Sequence, residues 1–178
     1  MSSSDPSLRV VGLLTDAVIA GFSASGNGVH VDTALAGTAA TAGAFLLRQV
    51  AGSVLDDLSP GSPVLVDIVN DAGPRVLGLA QNAASSAGVE WDSTGADIPA
   101  DNQPHAPHVA LVRQLEAPLS QVLTAHSIDR SAWADHTLLA AVDLVVRAGT
   151  VISASVATRI VTWSFVVGCK TVPYPVEQ

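Results

Sequence analysis

Charged side chains are scarce in this sequence. They make up 13% of its 178 residues, while hydrophobic residues make up 48%, so the charged share is about half of what globular domains usually carry. So much apolar surface excludes a chain that is mainly disordered, because burying that surface offsets the lost chain entropy. The few charges leave little to cover the outside, which predicts a homo-oligomer or a protein partner over part of the surface.

Positive charge is scarcer still. Sixteen acids stand against eight lysines and arginines, for a net charge of −8, and Arg75 is the only base between Gln49 and Val112. Phosphate backbones bind through clustered Lys and Arg, so nucleic acid is not an expected partner. An anionic membrane surface is not expected for the same reason.

Cysteine and long apolar runs are also missing. Cys169 is the one cysteine, so no disulfide can form within the chain, and its place at the end of an apolar segment predicts a buried, inert thiol. Charge-free runs such as 33–47 and 148–158 fall short of the roughly 20 residues that a membrane span needs. The first residues lack the basic and apolar regions of a signal peptide. We therefore expect no membrane span and a cytoplasmic location.

The motifs that identify common enzymes and cofactor sites are absent as well. The sequence has no P-loop, no Gly-x-Ser-x-Gly elbow and no Glu-x-x-His pair, and 26–28 is too short for a dinucleotide fingerprint. These absences predict no cofactor and favour a protein that is not an enzyme.

Apolar residues at helical spacing dominate what is present. Asp5 and Asp32 fit the N-cap positions of the first two helices, and Asp129 or Ser131 fits that of a later one. The segment 63–70 favours a short helix over a strand, and 150–168 favours a helix because it is long for a strand. The predicted helices are 5–22, 32–58, 63–70, 74–87, 108–125, 129–147 and 150–168.

The predicted fold is therefore all-α, a helical bundle or an orthogonal array of about six or seven helices. We expect a single domain over 1–178, with an irregular loop at about 90–107 and an irregular tail at 171–178. The alternative is an α+β fold with short strands near 63–70 and 159–167.

One polar cluster sits beside an interruption that Gly73 and Pro74 predict between two helices. Asn70, Asp71 and Arg75 could bind a small molecule there, with the helix start at Pro74 favouring an anion. The alternative is a capping turn without a ligand.

A second set of polar residues stands within apolar runs: Asp16, His136, Asp143 and Arg159. They are candidates for a pocket between helices, in which His136 and Asp143 would form a general-base pair. The favoured alternative pairs Asp143 with Arg147 one turn away, at the edge of the core. Asp16 and Arg159 could point outward, meet each other or lie at a subunit interface.

A weaker metal candidate combines His105 and His108 with Asp101. The alternative is a pair of exposed histidines in a proline-rich loop.

Three functions follow from the sequence. A self-associating or partner-binding helical module is favoured, partly because Gly37, Ala40 and Ala44 form a small-residue strip. A small-molecule-binding protein or enzyme is the first alternative, and a metal site at 101–108 is the second.

Overall fold

The structure, a computed structural model, describes residues 6–23, 28–64, 67–92 and 97–175. These residues contain no β-strand, only an isolated bridge between Pro63 and Thr171, so the predicted all-α fold is confirmed. Short 3-10 helices follow the second α-helix and precede the fourth and fifth. The six α-helices in these ranges are α1 (Pro6–Ser23), α2 (Val31–Ala51), α3 (Asp67–Ser86), α4 (His108–Ala125), α5 (Trp133–Arg147) and α6 (Ala154–Cys169).

Helix α2 is the central element. It is buried without a break from Asp32 to Leu47, and each of the other five helices contacts it. A helix that is apolar on all sides is suited to such a place. Its polar threonines do not disturb the core, because the hydroxyls of Thr38 and Thr41 donate to carbonyls one turn earlier, at 2.7 and 2.8 Å.

Two glycines let α6 cross α2 at backbone contact. A Cβ on Gly43 would lie 2.6 Å from the backbone nitrogen of Cys169 and closer still to the carbonyl oxygen of Phe165. A Cβ on Gly168 would overlap the backbone of Ala40. Any side chain at either position would therefore force the two helices apart.

The small-residue strip predicted on α2 is thus covered within the chain. Ala40 lies against α6, and Gly37 faces Leu111 and Leu115 of α4. Burial of the central helix also accounts for part of the high hydrophobic content of the sequence. Neither feature requires a second subunit, and self-association stays a prediction.

Two predicted boundaries are wrong. Helix α2 begins at Val31, with His30 at the N-cap and Asp32 in the first turn, and it ends at Ala51 because Gly52 has a φ of 51°. Helix α3 begins at Asp67 and continues through Pro74. Gly73 lowers the cost of this, because the ring of the following proline meets no Cβ there.

The other ambiguous segments are also settled in the described ranges. The segment 159–167, for which a strand was the alternative, lies wholly within α6. In 63–70, residues 67–70 belong to α3, whereas 65–66 lie outside the described residues. Of the predicted loop, 97–107 has one short 3-10 helix, Ala100–Asn102. No described helix has the length and apolar character needed to cross a membrane.

Replacing Gly43 or Gly168 by alanine should destabilise the protein by about 1–3 kcal/mol, the usual cost of overpacking a core. The neighbouring atoms are backbone atoms and cannot rotate away. Urea unfolding followed by circular dichroism measures the change.

Gly78→Ala is the matched control. A Cβ at Gly78 meets nothing within 4 Å, so the better helix propensity should stabilise α3 by up to about 1 kcal/mol. Equal effects at all three glycines would contradict the close α2–α6 crossing.

Candidate metal centre

The predicted pocket residues do not converge on one site. Asp16 and Asp143 both bind Arg147, at 3.1 and 2.7 Å, in a partly exposed ion-pair network between α1 and α5. The Asp143–Arg147 pair is the alternative expected from their spacing. Exposed pairs of this kind contribute little to stability, and they engage Asp143 with Arg147, while His136 contacts the carbonyl of Ala132.

His136 and Arg159 lie in two further, separate interactions. The Nδ1 of His136 donates to the carbonyl of Ala132 at 2.9 Å, at the start of its own helix. Arg159 donates to Asp92 through Nε and Nη2, at 2.9 and 2.7 Å, and to the carbonyl of Asp97 at 3.3 Å. Arg159 thus fastens the chain on either side of 93–96 to α6.

Arg75 is committed to a carboxylate. Its two terminal nitrogens donate to the two oxygens of Asp135, each at 2.9 Å, and so join α3 to α5. Because α3 continues through Pro74, the helix N-terminus predicted there as an anion site does not exist. Asp71 is exposed on α3, and Asn70 lines a groove described below.

The residues of the predicted metal loop also separate. His108 turns inward, and its Nε2 lies 2.9 Å from the Oγ of Ser164 on α6. Burial lowers the pKa of His108, so its imidazole favours the neutral form. Ser164 is only 1% exposed, which denies a substrate access to this Ser–His pair. Asp101 is exposed in the short 3-10 helix.

His105 instead meets His30 and Asp32. One ligand atom from each of these side chains lies within 4.8 Å of the other two. His30 immediately precedes α2, Asp32 stands in the first turn of α2, and His105 lies in the loop before α4. This is the one group of three metal-ligating side chains found among the described residues.

Thr33 holds the acid and the loop in place. Its backbone N–H donates to Oδ1 of Asp32 at 2.7 Å, and its Oγ1 accepts the backbone N–H of His105 at 3.1 Å. Among the described residues no donor is assigned to the other oxygen, Oδ2. Asp32 is therefore oriented by one oxygen and can offer the other, as ligating carboxylates commonly do.

The two imidazoles lie against each other. The ring centroids of His30 and His105 are 4.1 Å apart and the rings are inclined by 55°. Both rings are exposed, whereas Asp32 is 9% exposed. This contact brings the nitrogen atoms of both rings to one place, and imidazole nitrogen is among the commonest metal ligands in proteins.

Two imidazoles and a carboxylate suit zinc and the other late divalent transition metals better than magnesium or calcium, which prefer all-oxygen sites. Asp32 also suits the positive end of the α2 dipole without any ion. The pair of imidazoles beside it is what distinguishes a metal site from a simple helix-start acid.

Sequence reasoning found His105 but missed its partners. His30 precedes His105 by 75 positions, and Asp32 looked like an N-cap. A possible signal was the pair His30-x-Asp32 at the predicted start of a helix. The side chain of an extended residue just before a helix and that of a residue in the first turn can point in the same direction. Comparison with known protein families, curated proteins and solved structures finds no match to this chain.

The lowered pKa of His108 predicts acid sensitivity. Below pH 6.5 the unfolded chain takes up a proton on this residue before the folded chain does, so the free energy of unfolding should fall as the pH drops. Urea unfolding at pH 7.5 and 5.5 measures the loss, which should be smaller in His108→Gln than in the parent chain.

His126→Gln is the control, because His126 is exposed in the turn after α4. The same reduction in both variants would show that burial of His108 is not the cause.

Proposed function

We propose that this protein binds a divalent transition-metal ion of the zinc class through His30, Asp32 and His105. The convergence of these three ligand atoms within 4.8 Å carries the proposal. It retains the metal function proposed from the sequence and keeps His105, but it replaces His108 and Asp101 with His30 and Asp32.

The ion would act as a crosslink. It would join the loop 97–107 to the first turn of the buried helix α2. The loop has little regular structure of its own, and the hydrogen bond from His105 to Thr33 already holds it in position. Binding an ion to a site assembled only in the folded state adds directly to the free energy of unfolding.

The site would also keep an open position. Three protein ligands leave at least one coordination place for water or another ligand, and both imidazoles face solvent. We propose that the site binds a metal ion, and we propose no catalysed reaction, because the three converging side chains support binding alone.

Self-association is a second candidate. Leu8, Val54 and Val151 are each more than half exposed, at 56%, 61% and 73%, and a partner copy could cover them. They belong to different elements, so the metal site has the stronger support. Light scattering on the purified chain decides this point, and a monomer at high concentration would remove the candidate.

The cytoplasm remains the proposed location, in keeping with the free thiol of Cys169.

Calorimetric titration of zinc into chelator-treated protein tests the metal proposal. We expect one ion per chain, and each of His30→Ala, Asp32→Asn and His105→Ala should weaken the affinity at least tenfold. At a free zinc concentration of 100 times Kd, the free energy of unfolding should rise by about 2.7 kcal/mol.

His126→Ala and Asp101→Asn are the matched controls, because both side chains are exposed and lie outside the group of three. Both should bind zinc like the parent chain. No heat of binding in the parent chain, or an equal loss in the controls, would show that the ion is not held by these three residues.

A further inference from the structure

A groove of about 210 Å³ lies between α3 and α6. Its apolar wall includes Val69 and Leu77 from α3 and Phe165 and Val166 from α6, and its polar wall includes Asn70 and Lys170. The metal-ligand residues lie elsewhere, so the groove stands apart from the proposed metal site.

The groove exists because its two helices are held by different partners. Helix α6 is drawn onto α2 by the glycine crossing, while α3 is tied to α5 by Arg75 and Asp135. Between them Gly73 presents no side chain. A Cβ there would meet only the Phe165 ring, at 3.9 Å, so the groove has room for further atoms beside this buried ring.

The groove is polar at one end. The backbone N–H of Val64, three residues before α3, donates to the carbonyl of Lys170 at 2.8 Å. The start of α3 therefore lies beside the end of α6, which places Asn70 near Lys170. Gly73, one turn further along α3, lies near Phe165, one turn back along α6. The side-chain amide of Asn70 and the ammonium of Lys170 both line this otherwise largely apolar space.

Lys170 is the only lysine in the sequence, and it is exposed. No carboxylate within the described ranges forms an ion pair with it. By contrast, carboxylates engage four of the arginines: Arg48, Arg75, Arg147 and Arg159.

The neighbouring thiol does not change this charge. Burial raises the pKa of Cys169 to about 12, so the thiol stays neutral at physiological pH. Lys170 is the single charged side chain among those that line the groove. Among the described residues, Lys170 is thus a cation without a carboxylate partner at the edge of an apolar groove.

We propose that the α3–α6 groove binds a small monocarboxylic acid with an apolar body about the size of a benzene ring. The body packs on Leu77 and Val166, which are both partly exposed in the groove, and the carboxylate accepts hydrogen bonds from Lys170 and Asn70. The volume fits, since a cavity of about 150 Å³ holds benzene and the additional space accommodates a short acidic arm. Small-molecule binding at Asn70 was one of the functions expected from the sequence. The residues that line the groove indicate which class of ligand would bind.

Nuclear magnetic resonance titration with phenylacetate tests the proposal on the whole chain. The backbone amides of Gly73 and Lys170 should shift and saturate, whereas that of Gly12 on α1, which lies outside the groove lining, should not. Phenylacetamide has the same shape without the charge and should bind about tenfold more weakly, because charge-assisted hydrogen bonds are the stronger ones. Lys170→Gln should abolish that difference.

Gly73→Leu and Gly78→Leu form a matched pair on the same helix. The first side chain fills the groove over Phe165 and should reduce phenylacetate binding at least tenfold, while the second should leave it unchanged. The helix should tolerate a Cβ before Pro74, because Ala117 precedes Pro118 inside the continuous helix α4. Should Gly73→Leu fail to fold, Val166→Phe blocks the groove from α6.

Three results would overturn the proposal. They are shifts confined to residues outside α3 and α6, equal affinity for phenylacetate and phenylacetamide, and equal loss of binding in the two leucine variants. Zinc is left out of every sample, so failure here is distinct from failure of the metal site.

Discussion

The crossing of α2 and α6 is the contact on which the rest of the structure depends. Gly43 and Gly168 bring two backbones together where no side chain fits, and α2 is thereby enclosed. Because α2 is buried from Asp32 to Leu47, many of the apolar side chains of the sequence lie in the core. The first turn of α2 is then fixed at the edge of the core, where His30 and Asp32 meet the loop before α4.

Polar contacts hold that loop against the core at several points. Arg159 binds the carbonyl of Asp97 near its beginning, Thr33 binds the amide of His105, and Ser164 binds His108 where α4 begins. Each contact joins the loop to α2 or α6, the two helices of the rigid crossing. An ion at His105 would complete an arrangement that is already ordered, which reduces the entropy that binding must overcome.

The sequence predicts the helices well and the sites only in part. Apolar spacing identifies α1, α4 and α5, and the spacing of Asp143 and Arg147 identifies their ion pair, because these are local relations along one helix. Pro74 misled the prediction because the cost of a proline depends on its neighbour, and Gly73 removes much of it. The approach of His30 to His105 and the crossing at Gly43 depend on how distant elements pack, and no local spacing records that.

The structure shows what most of the few basic side chains do. Arg48, Arg75, Arg147 and Arg159 each reach a carboxylate on another element, at distances from 2.6 to 3.1 Å, so these cations serve as ties. No carboxylate in the described part of the chain pairs with Lys170 in this way. Helix α6 contacts the start of α4 through Ser164 and His108, while the next residue, Phe165, forms part of the groove. Consecutive helical residues point about 100° apart. Ser164 and Phe165 therefore contact different neighbours although they are adjacent in the sequence, and the close α2–α6 crossing fixes the direction of both.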